Sequence, residues 1–463
     1  MTPTLFQNRN IDVNLNRQIH SSREKLKYFQ MRTILKFFFS SIFCLSILSL
    51  QAQEPLVLSL DSAVNYAIEH NRTLINSRFA IDKSSQKIKE TIAMGLPQVD
   101  ASVDYTNFLG AEASLTLGPG APPVTIEFNP TSNFKLSASQ LLFSGNFIVG
   151  VQLSKLAKKI TKESYNKDVL DIKEQTIQAY YMVLVSKKIL DILQENKKDA
   201  QTIYNKTQNM ANVGLIEQTD AKKLSVMVTG VNNAYKAAER RLELSYNLLR
   251  LQLGLEPNQV IKLTSTLSDI EKKNIVQSSV VDSFNIENNA DYKIVSMQGD
   301  IVAKQIIMQK TNYLPSLVAF YSYTEKIKKP VFDMSPKNIL GVTLSIPIFS
   351  SGVRHAKLSQ AKIDYKTSQN TKELVSQQLT LAEVQSKYNY NNYLEQYENQ
   401  KSNVVIAKEV LDQIKLKYRQ GLVSSLEMTS ANSDYLKAES DKISTLLELL
   451  NAELALKKIN NNL

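Results

Sequence analysis

Residues 313–324 have the sequence YLPSLVAFYSYT, and residues 95–106 have the similar sequence GLPQVDASVDYT. After the Leu-Pro pair, every second residue is apolar, as at Val99, Ala101 and Val103. Alternation over about ten residues is typical of a β-strand with one apolar and one polar face. Both segments therefore predict a strand that begins just after a Leu-Pro break.

A second alternating segment follows each of these predicted strands. In the first half of the chain, Phe134, Leu136 and Ala138 alternate with polar residues. In the second half, an apolar row runs through Leu340, Val342, Leu344, Ile346 and Ile348. The sequence thus predicts one strand hairpin in each half and four strands in the chain.

The two halves also resemble each other outside the strands. Residues 178–214 align with residues 385–421 without a gap, at an offset of 207, and the segments LLFSG (141–145) and PIFSSG (347–352) are alike. Because these similarities occur in the same order, the chain is predicted to be an internal duplication. We expect residues 53–280 to form the first repeat and residues 281–463 the second, each with a helix, a strand hairpin and a helical hairpin.

Long helices are expected on both sides of each strand hairpin. Asp61–Met94 has apolar residues at helical spacing and predicts one helix, with Asp61 as a candidate cap. Later in each half, sustained heptads indicate antiparallel coiled coils with Gly214 and Gly421 at the hairpin tips. The predicted fold class is mainly α with a small β part, and a helix of about 60 residues would be about 90 Å long.

The composition excludes several classes of protein. Only 43% of the 463 residues are hydrophobic and 21% are charged, which excludes a polytopic helical membrane protein. The chain has three histidines and one cysteine, and it lacks a glycine-rich phosphate loop or a plausible catalytic cluster. We therefore expect neither an enzyme nor a protein that holds a metal or another cofactor.

The N-terminal region has the pattern of a secretory signal. Residues 31–55 read MRTILKFFFSSIFCLSILSLQAQEP, with basic residues first, then a short apolar run, then small and polar residues around Ala52. This order is typical of a signal peptide. We expect residues 1–52 to be an N-terminal extension and signal peptide, with translation starting at Met31. Cys44 lies within the apolar run behind bulky residues, so lipidation is not expected there.

Removing residues 1–52 changes the charge balance. The full chain has a formal charge of +11, whereas residues 53–463 contain 48 basic and 42 acidic residues, a net charge of +6. So small an excess over some four hundred residues does not indicate nucleic acid as a partner.

Four strands with alternating faces match the strands of a transmembrane β-barrel in length and pattern. Four strands cannot close a barrel, however, and an open edge in hydrocarbon would leave backbone groups without hydrogen bonds. Several chains would then have to pool their strands in an obligate oligomer. The alternative is a small soluble sheet that caps a coiled coil.

Over nearly the whole mature chain, the sequence resembles the TolC family of outer-membrane factors (outer membrane efflux proteins). The similarity runs from LSLDSAVNYAIEHNRTL (58–74), through both Leu-Pro strand entries, to the tip segments NVGLIEQTDA (212–221) and RQGLVSSLEM (419–428). This resemblance implies a homotrimer with a twelve-stranded β-barrel in the cell outer membrane and an α-barrel of coiled-coil helices that extends into the periplasm. It also implies passive conduction, in an efflux or type I secretion system, with a periplasmic adaptor, an inner-membrane pump and outer-membrane lipid as partners.

The resemblance assigns roles to the two hairpin tips. It implies that the tips dock the adaptor, through Val213, Gly214, Leu215, Gly421 and Leu422. The alternative is ordinary turn chemistry, because a glycine followed by a leucine commonly ends a helix.

The resemblance also implies a periplasmic gate near the tips, at Asp220, Tyr418 and Glu427. The sequence departs from the family pattern at Val423, where an arginine is expected, and at Ser430, where a second acidic residue is expected. In the alternative interpretation, Asp220 and Glu427 lie in the first turn of a returning helix, where negative charge favours the helix dipole.

Two other functions remain open at this point. The chain could be a soluble periplasmic coiled-coil scaffold or adaptor, or a secreted protein that forms pores after its release. Recovery of the mature chain as a soluble monomer would favour the scaffold.

Overall fold

The computed structural model describes residues 55–116, 118–120, 122–277, 284–329 and 335–463. The predicted signal peptide with Met31 and Cys44 lies outside the described residues, as does the predicted repeat boundary at residues 280 and 281. The described chain divides into two units. In the small unit, residues 55–56 and 259–262, the Leu56 N–H donates a hydrogen bond to the Val260 carbonyl at 2.9 Å.

The first half of the chain carries six strands and five helices among the described residues. In chain order they are β1 (Leu56–Leu58), α1 (Leu60–His70), α2 (Arg72–Ala93), β2 (Gln98–Thr106), β3 (Glu112–Leu115), β4 (Val124–Glu127), β5 (Thr131–Phe143), α3 (Gly145–Asn212), α4 (Gln218–Leu253), β6 (Ile261–Leu263) and α5 (Leu267–Gln277). A short 3₁₀ helix (Ile286–Asn288) opens the second half, which continues with α6 (Ala290–Thr311), β7 (Ser316–Lys328), β8 (Asn338–Ser345), α7 (Val353–Arg419) and α8 (Ser425–Ile459). The mainly helical fold class is thereby confirmed.

Four of the strands form one antiparallel sheet in the order β2-β5-β7-β8. The four strands predicted from the alternation are confirmed, with one hairpin from each half. Val99 pairs with Ala138, Ala138 with Tyr321, and Tyr321 with Leu340, so one apolar row crosses all four strands. The neighbouring row, Asp100, Ser137 and Ser322, lies on the opposite face, because side chains alternate along a strand. The sheet thus has one apolar face and an opposite face that is mainly polar on β2 and β5 but also carries Val318, Phe320 and Ile339 on β7 and β8.

Two details of the strand prediction were wrong. Strand β8 ends at Ser345, so Ile346 and Ile348 lie beyond it; Pro347 has no N–H to donate to a ladder. The expected total of four strands was too low: the loop between β2 and β5 forms a hairpin of its own, β3 with β4, and β1 pairs with β6, and the alternation predicted neither pair.

The predicted single helix Asp61–Met94 was also wrong, because the chain breaks at Asn71 into α1 and α2. Asn71 leaves the helical region at ψ 129°, and its side chain accepts a hydrogen bond from the Thr73 N–H at 2.8 Å. Ser59, and not Asp61, caps α1 by accepting from the Ser62 N–H at 3.2 Å. Such caps satisfy backbone donors that the first turn of a helix leaves free.

Asn71 also connects the break between α1 and α2 to the C-terminal end of α4, in the same half of the chain. Its Nδ2 donates a hydrogen bond to the Gln252 carbonyl in the last turn of α4 at 2.8 Å. Asn289 repeats this arrangement: it caps α6, and its Nδ2 donates to the Ile459 carbonyl of α8 at 3.1 Å. Gln252 and Ile459 are 207 residues apart, the offset of the sequence repeat, whereas Asn71 and Asn289 are 218 residues apart. Internal duplication is therefore visible in a buried polar contact as well as in the sequence.

The long helices form two antiparallel pairs, α3 with α4 and α7 with α8. Helix α3 has 68 residues and α7 has 67, so each is about 100 Å long. Near the tips, a cluster on the first pair contains Ala200, Leu224 and Met227, and a cluster on the second contains Leu411, Met428 and Ala431. Ile203 and Tyr418 pack against both clusters, which joins the two pairs in one core.

Within the part of the chain that the structure describes, none of the helices combines the length and the apolar composition needed to cross a membrane.

Candidate functional site at the helical tips

Both helical hairpins turn in the same way. Gly214 and Gly421 adopt the left-handed conformation, with φ values of 76° and 75°. The next residue closes each turn: the Leu215 N–H donates to the Met210 carbonyl at 2.9 Å, and the Leu422 N–H donates to the Lys417 carbonyl at 3.0 Å. This six-residue bond is the Schellman motif, which requires a residue that tolerates positive φ at the glycine position.

The turns present apolar side chains to solvent. Val213, Leu215 and Leu422 are 71%, 71% and 69% exposed. A Cβ built on Gly214 or Gly421 would meet nothing within 4 Å, so the backbone of each turn is also open. The structure thus places all five predicted docking residues at the tips, with an exposed leucine beside each glycine.

A cavity of about 250 Å³ lies between the two hairpins just above the tips. Asp220, Tyr418 and Gly421 line it, so the structure brings together two of the predicted gate residues and one docking residue. The other lining residues are apolar, hydroxylated or basic: Thr202, Ile203, Lys206, Thr207, Met210, Ile216, Lys415, Arg419, Val423 and Met428.

Two hydroxyl contacts join the hairpins across this cavity. The Ser425 Oγ donates to Asp220 Oδ1 at 2.6 Å, and the Thr207 Oγ1 and the Tyr418 hydroxyl are 3.0 Å apart. Ser425 is 0% exposed and Thr207 is 1% exposed. Because a buried hydroxyl or carboxylate loses its water, each contact satisfies groups that would otherwise be costly to bury.

The Tyr418 hydroxyl remains protonated under ordinary conditions. Burial raises the pKa of Tyr418, and the negative charge of Asp220 raises it further, against the opposing effect of the hydrogen bond with Thr207. A neutral phenol can keep its hydrogen bond with Thr207 throughout the physiological pH range.

Farther from the tips, two more contacts link the hairpins. Lys415 pairs with Asp199 at 2.9 Å, and the buried Asn196 Nδ2 donates to Asn432 Oδ1 at 2.7 Å. The tip cavity therefore lies at the end of an interface in which polar contacts link the two helical pairs.

Glu427 has a different environment from Asp220. The Ser424 Oγ accepts from the Glu427 N–H at 3.3 Å, while the Glu427 carboxylate accepts from the Ser424 N–H at 3.4 Å. This reciprocal capping box begins α8, and Asp220 likewise lies in the first turn of α4. Both acids thus occupy the positions that the helix-dipole interpretation expects.

The comparison with known families fits this architecture. Residues 63–255 and 287–462 match the family model described as outer membrane efflux protein. The chain belongs to the outer membrane efflux protein family. The resemblance inferred from the tip and strand segments is confirmed, and the chain is an outer-membrane protein.

Relatives of this outer membrane efflux protein are distant in sequence. It is 22% identical to the outer membrane protein TolC of Salmonella enteritidis over 393 residues, which cover 82% of this chain and 78% of that protein. The solved structure of CusC has a TM-score of 0.70 at 16% identity and covers 87% of this chain and 91% of its own. The CmeC outer membrane channel of Campylobacter jejuni has a TM-score of 0.66 at 16% identity, covering 87% and 85%. These structural likenesses establish the shared fold.

Two residues of the tip contacts in this efflux protein were missed by the sequence analysis. Thr207 and Ser425 carry no motif of their own, and each meets a partner more than 200 residues away. A polar residue on an otherwise apolar heptad seam was the only signal that pointed to Thr207. Among the described residues, no group of three or more histidine, cysteine or acidic side chains is arranged to hold a metal ion.

Proposed function

We propose that the chain is one of three identical subunits of an outer-membrane exit duct in an efflux or type I secretion system. The duct conducts substrates passively from a periplasmic adaptor and an inner-membrane pump to the exterior. The four-stranded sheet carries this proposal, because its apolar face crosses all four strands while β2 and β8 each pair on one side only. In hydrocarbon such edges must be paired, and three chains would supply twelve strands, enough to close a barrel.

The two faces of the sheet suit the two sides of such a barrel. The apolar row through Val99, Ala138, Tyr321 and Leu340 would contact lipid. The polar row through Asp100, Ser137 and Ser322 would line a water-filled lumen. The helical pairs would continue the lumen into the periplasm, with residues 53–280 and 281–463 as equivalent repeats. The driving energy would come from the pump.

Cysteine pairing tests the trimer directly, because the only cysteine of the sequence is Cys44 in the predicted signal peptide. Ala101 on β2 and Val342 on β8 lie at opposite edges of the sheet and in different rows, so at least three strand spacings, or about 14 Å, separate them within one chain. This distance is too long for a disulfide. Oxidation of Ala101→Cys with a cysteine at Leu340, Val342 or Leu344 should therefore link neighbouring chains into a covalent trimer on a denaturing gel.

The matched control is Ala138→Cys with Tyr321→Cys. These residues are paired partners on β5 and β7 of one chain, so their disulfide should leave the chain at monomer size. Absence of any covalent oligomer across the β8 scan would contradict the proposal.

A soluble monomer in cell fractions would favour the scaffold, and pores formed only by the released protein would favour the secreted pore-former. Measurement of the conductance of the purified protein in planar bilayers completes the test.

We also propose that the two tips dock the adaptor. The support is the exposed leucine beside each glycine, in two turns with the same backbone geometry. The contact surface would be small and apolar, so a charge placed on it should be poorly tolerated by a partner.

Leu215→Asp together with Leu422→Asp should abolish adaptor binding, with at least a tenfold loss of affinity, because a buried unpaired carboxylate is costly. Folding should be unaffected, since both side chains are exposed. The control is Val226→Asp with Leu251→Asp, two exposed apolar positions on α4 at 74% and 68%. Co-purification with the adaptor and drug susceptibility of cells that depend on this duct are the measurements. Equal adaptor binding by both variants would contradict tip docking.

A further inference from the structure

Helices α3 and α7, which follow strands β5 and β8, each carry a pair of lysines at equivalent positions. Lys155 and Lys159 lie on α3, and Lys362 and Lys366 lie at the equivalent positions of α7, again at the offset of 207. All four side chains are exposed, and within the described chain none of them forms an ion pair. Like charges four residues apart on a helix repel each other, at a cost of about 0.2–0.5 kcal/mol. Both halves nevertheless carry the pair.

These lysines belong to a wider concentration of positive charge beside the sheet. We call it the basic collar and define it as residues 82–93, 145–162, 300–311 and 353–366, the parts of α2, α3, α6 and α7 nearest the strands. The collar contains thirteen lysine and arginine residues against four acidic residues, a net charge of +9. Residues 53–463 as a whole have a net charge of +6, so the remainder of that span is net negative. The positive charge is therefore local.

Within the collar, apolar residues lie between its lysines and the sheet. Ile148 in the first turn of α3 is 48% exposed, and Val353 at the start of α7 is 53% exposed. Ile148 lies two turns before Lys155 on the same face of α3, because residues seven apart nearly coincide around a helix. Helix α3 contacts α2 and α6, and the exposure of Ile148 and Lys155 shows that these neighbours leave their face of α3 open. An exposed isoleucine in the helical turn that follows a strand is suited to contact with lipid.

The distances match the dimensions of a bilayer. Lys155 lies ten residues beyond the start of α3, about 15 Å along the helix, and Ile148 lies about 5 Å along it. The headgroup region adds about 5–8 Å to each side of the hydrocarbon core. If the hydrocarbon ends near Ile148, the Lys155 side chain reaches back to the plane of the lipid phosphates, as long cationic side chains do at membrane surfaces. Lys159 lies one turn farther from the sheet, about 21 Å along the helix.

We propose that the basic collar binds the phosphate groups of anionic phospholipids in the periplasmic leaflet of the outer membrane, with Lys155, Lys159, Lys362 and Lys366 as its central contacts. This inference rests on the proposed function, since it requires the sheet to span the membrane. In a trimer the lysine pair would recur six times around the wall. Each lysine near an anionic surface contributes attraction within about one Debye length, 8–10 Å.

The test compares lipid binding by the purified, delipidated protein and by a variant with all four lysines changed to glutamine. Dioleoylphosphatidylglycerol and dioleoylphosphatidylcholine are added in non-ionic detergent, and bound lipid is counted by native mass spectrometry. The wild type should prefer phosphatidylglycerol, and the variant should lose at least tenfold in that preference. The matched control is Lys187→Gln, Lys188→Gln, Lys198→Gln and Lys236→Gln, which removes the same charge at exposed positions away from the sheet.

Bilayer conductance and oligomeric state of every variant separate this inference from the proposed function. Normal channels with no preference for phosphatidylglycerol in the wild type would overturn the lipid inference alone. An equal loss in the control variant would overturn it too, because the attraction would then follow total charge. Loss of binding to purified cell-wall sacculi, with phosphatidylglycerol binding intact, would assign the collar to peptidoglycan instead.

Discussion

Removing two hydroxyl groups at the tips should open the periplasmic end of the duct. We expect the double variant Tyr418→Phe with Ser425→Ala to show a larger conductance and more frequent opening than the wild type in planar bilayers. The substitutions delete the hydrogen bond between Tyr418 and Thr207 and the one from Ser425 to Asp220. A neutral hydrogen bond contributes about 1 kcal/mol and one to a carboxylate about 1.5–3 kcal/mol, so the ratio of open to closed tips should rise about a hundredfold.

The control for this variant makes the same two types of substitution, Tyr to Phe and Ser to Ala, at positions whose hydroxyl groups do not join the two hairpins. Tyr204→Phe removes a hydroxyl that contacts only Gln208 of its own helix, and Ser402→Ala removes one that contacts the Glu398 backbone. Neither contact joins the two hairpins, so the control should conduct like the wild type. If the double variant and this control behave alike, the two tip contacts do not hold the end of the duct closed. Asp220→Asn should give an intermediate effect, since the amide oxygen still accepts a hydrogen bond from Ser425.

The second large effect is expected at Gly254, where α4 ends. Gly254 has a φ of 69°, and a Cβ on it would lie 2.4 Å from the His70 carbonyl oxygen at the break between α1 and α2. Gly254→Ala would therefore add a clash with backbone to the ordinary cost of a left-handed alanine, about 1–2 kcal/mol. We expect a loss of stability of about 3 kcal/mol or more per chain. The temperature at which the purified oligomer dissociates should fall accordingly.

Gly421→Ala is the matched control for Gly254→Ala. Its φ of 75° is nearly the same, but an added Cβ would meet nothing within 4 Å. It should therefore lose only the cost of placing an alanine in the left-handed conformation, about 1–2 kcal/mol. Similar losses of stability in both variants would show that the close approach of His70 to Gly254 does not contribute to the effect of the substitution.

The sheet and the tips were predictable from the sequence because their determinants are local. Alternation places every second side chain on one face, and a shift of one residue would move a whole apolar row, as through Leu340, Val342 and Leu344, to the polar side. Gly214 and Gly421 mark turns that need positive φ, and the repeat shows them twice.

The missed features depend on partners that are distant in sequence or on backbone angles. The apolar spacing continues from Ala63 and Ala67 to Leu74, so periodicity gave no sign of the break at Asn71. What favours that break is the contact of Asn71 with Gln252, 181 residues away. Buried Ser425 was overlooked for the same reason, because its half-buried partner Asp220 comes from the other half of the chain.

The pairing of β5 with β7 bears on the order of folding. Strand β5 ends at Phe143 and β7 begins at Ser316, so their ladder closes a loop of 172 residues, 144 to 315. The α3–α4 hairpin lies wholly within that loop and can form earlier from near neighbours. The complete apolar face therefore arises only after both halves have been made. In the proposed duct, a nascent or truncated chain would lack this finished surface, so the topology would delay insertion into the bilayer until the chain is whole.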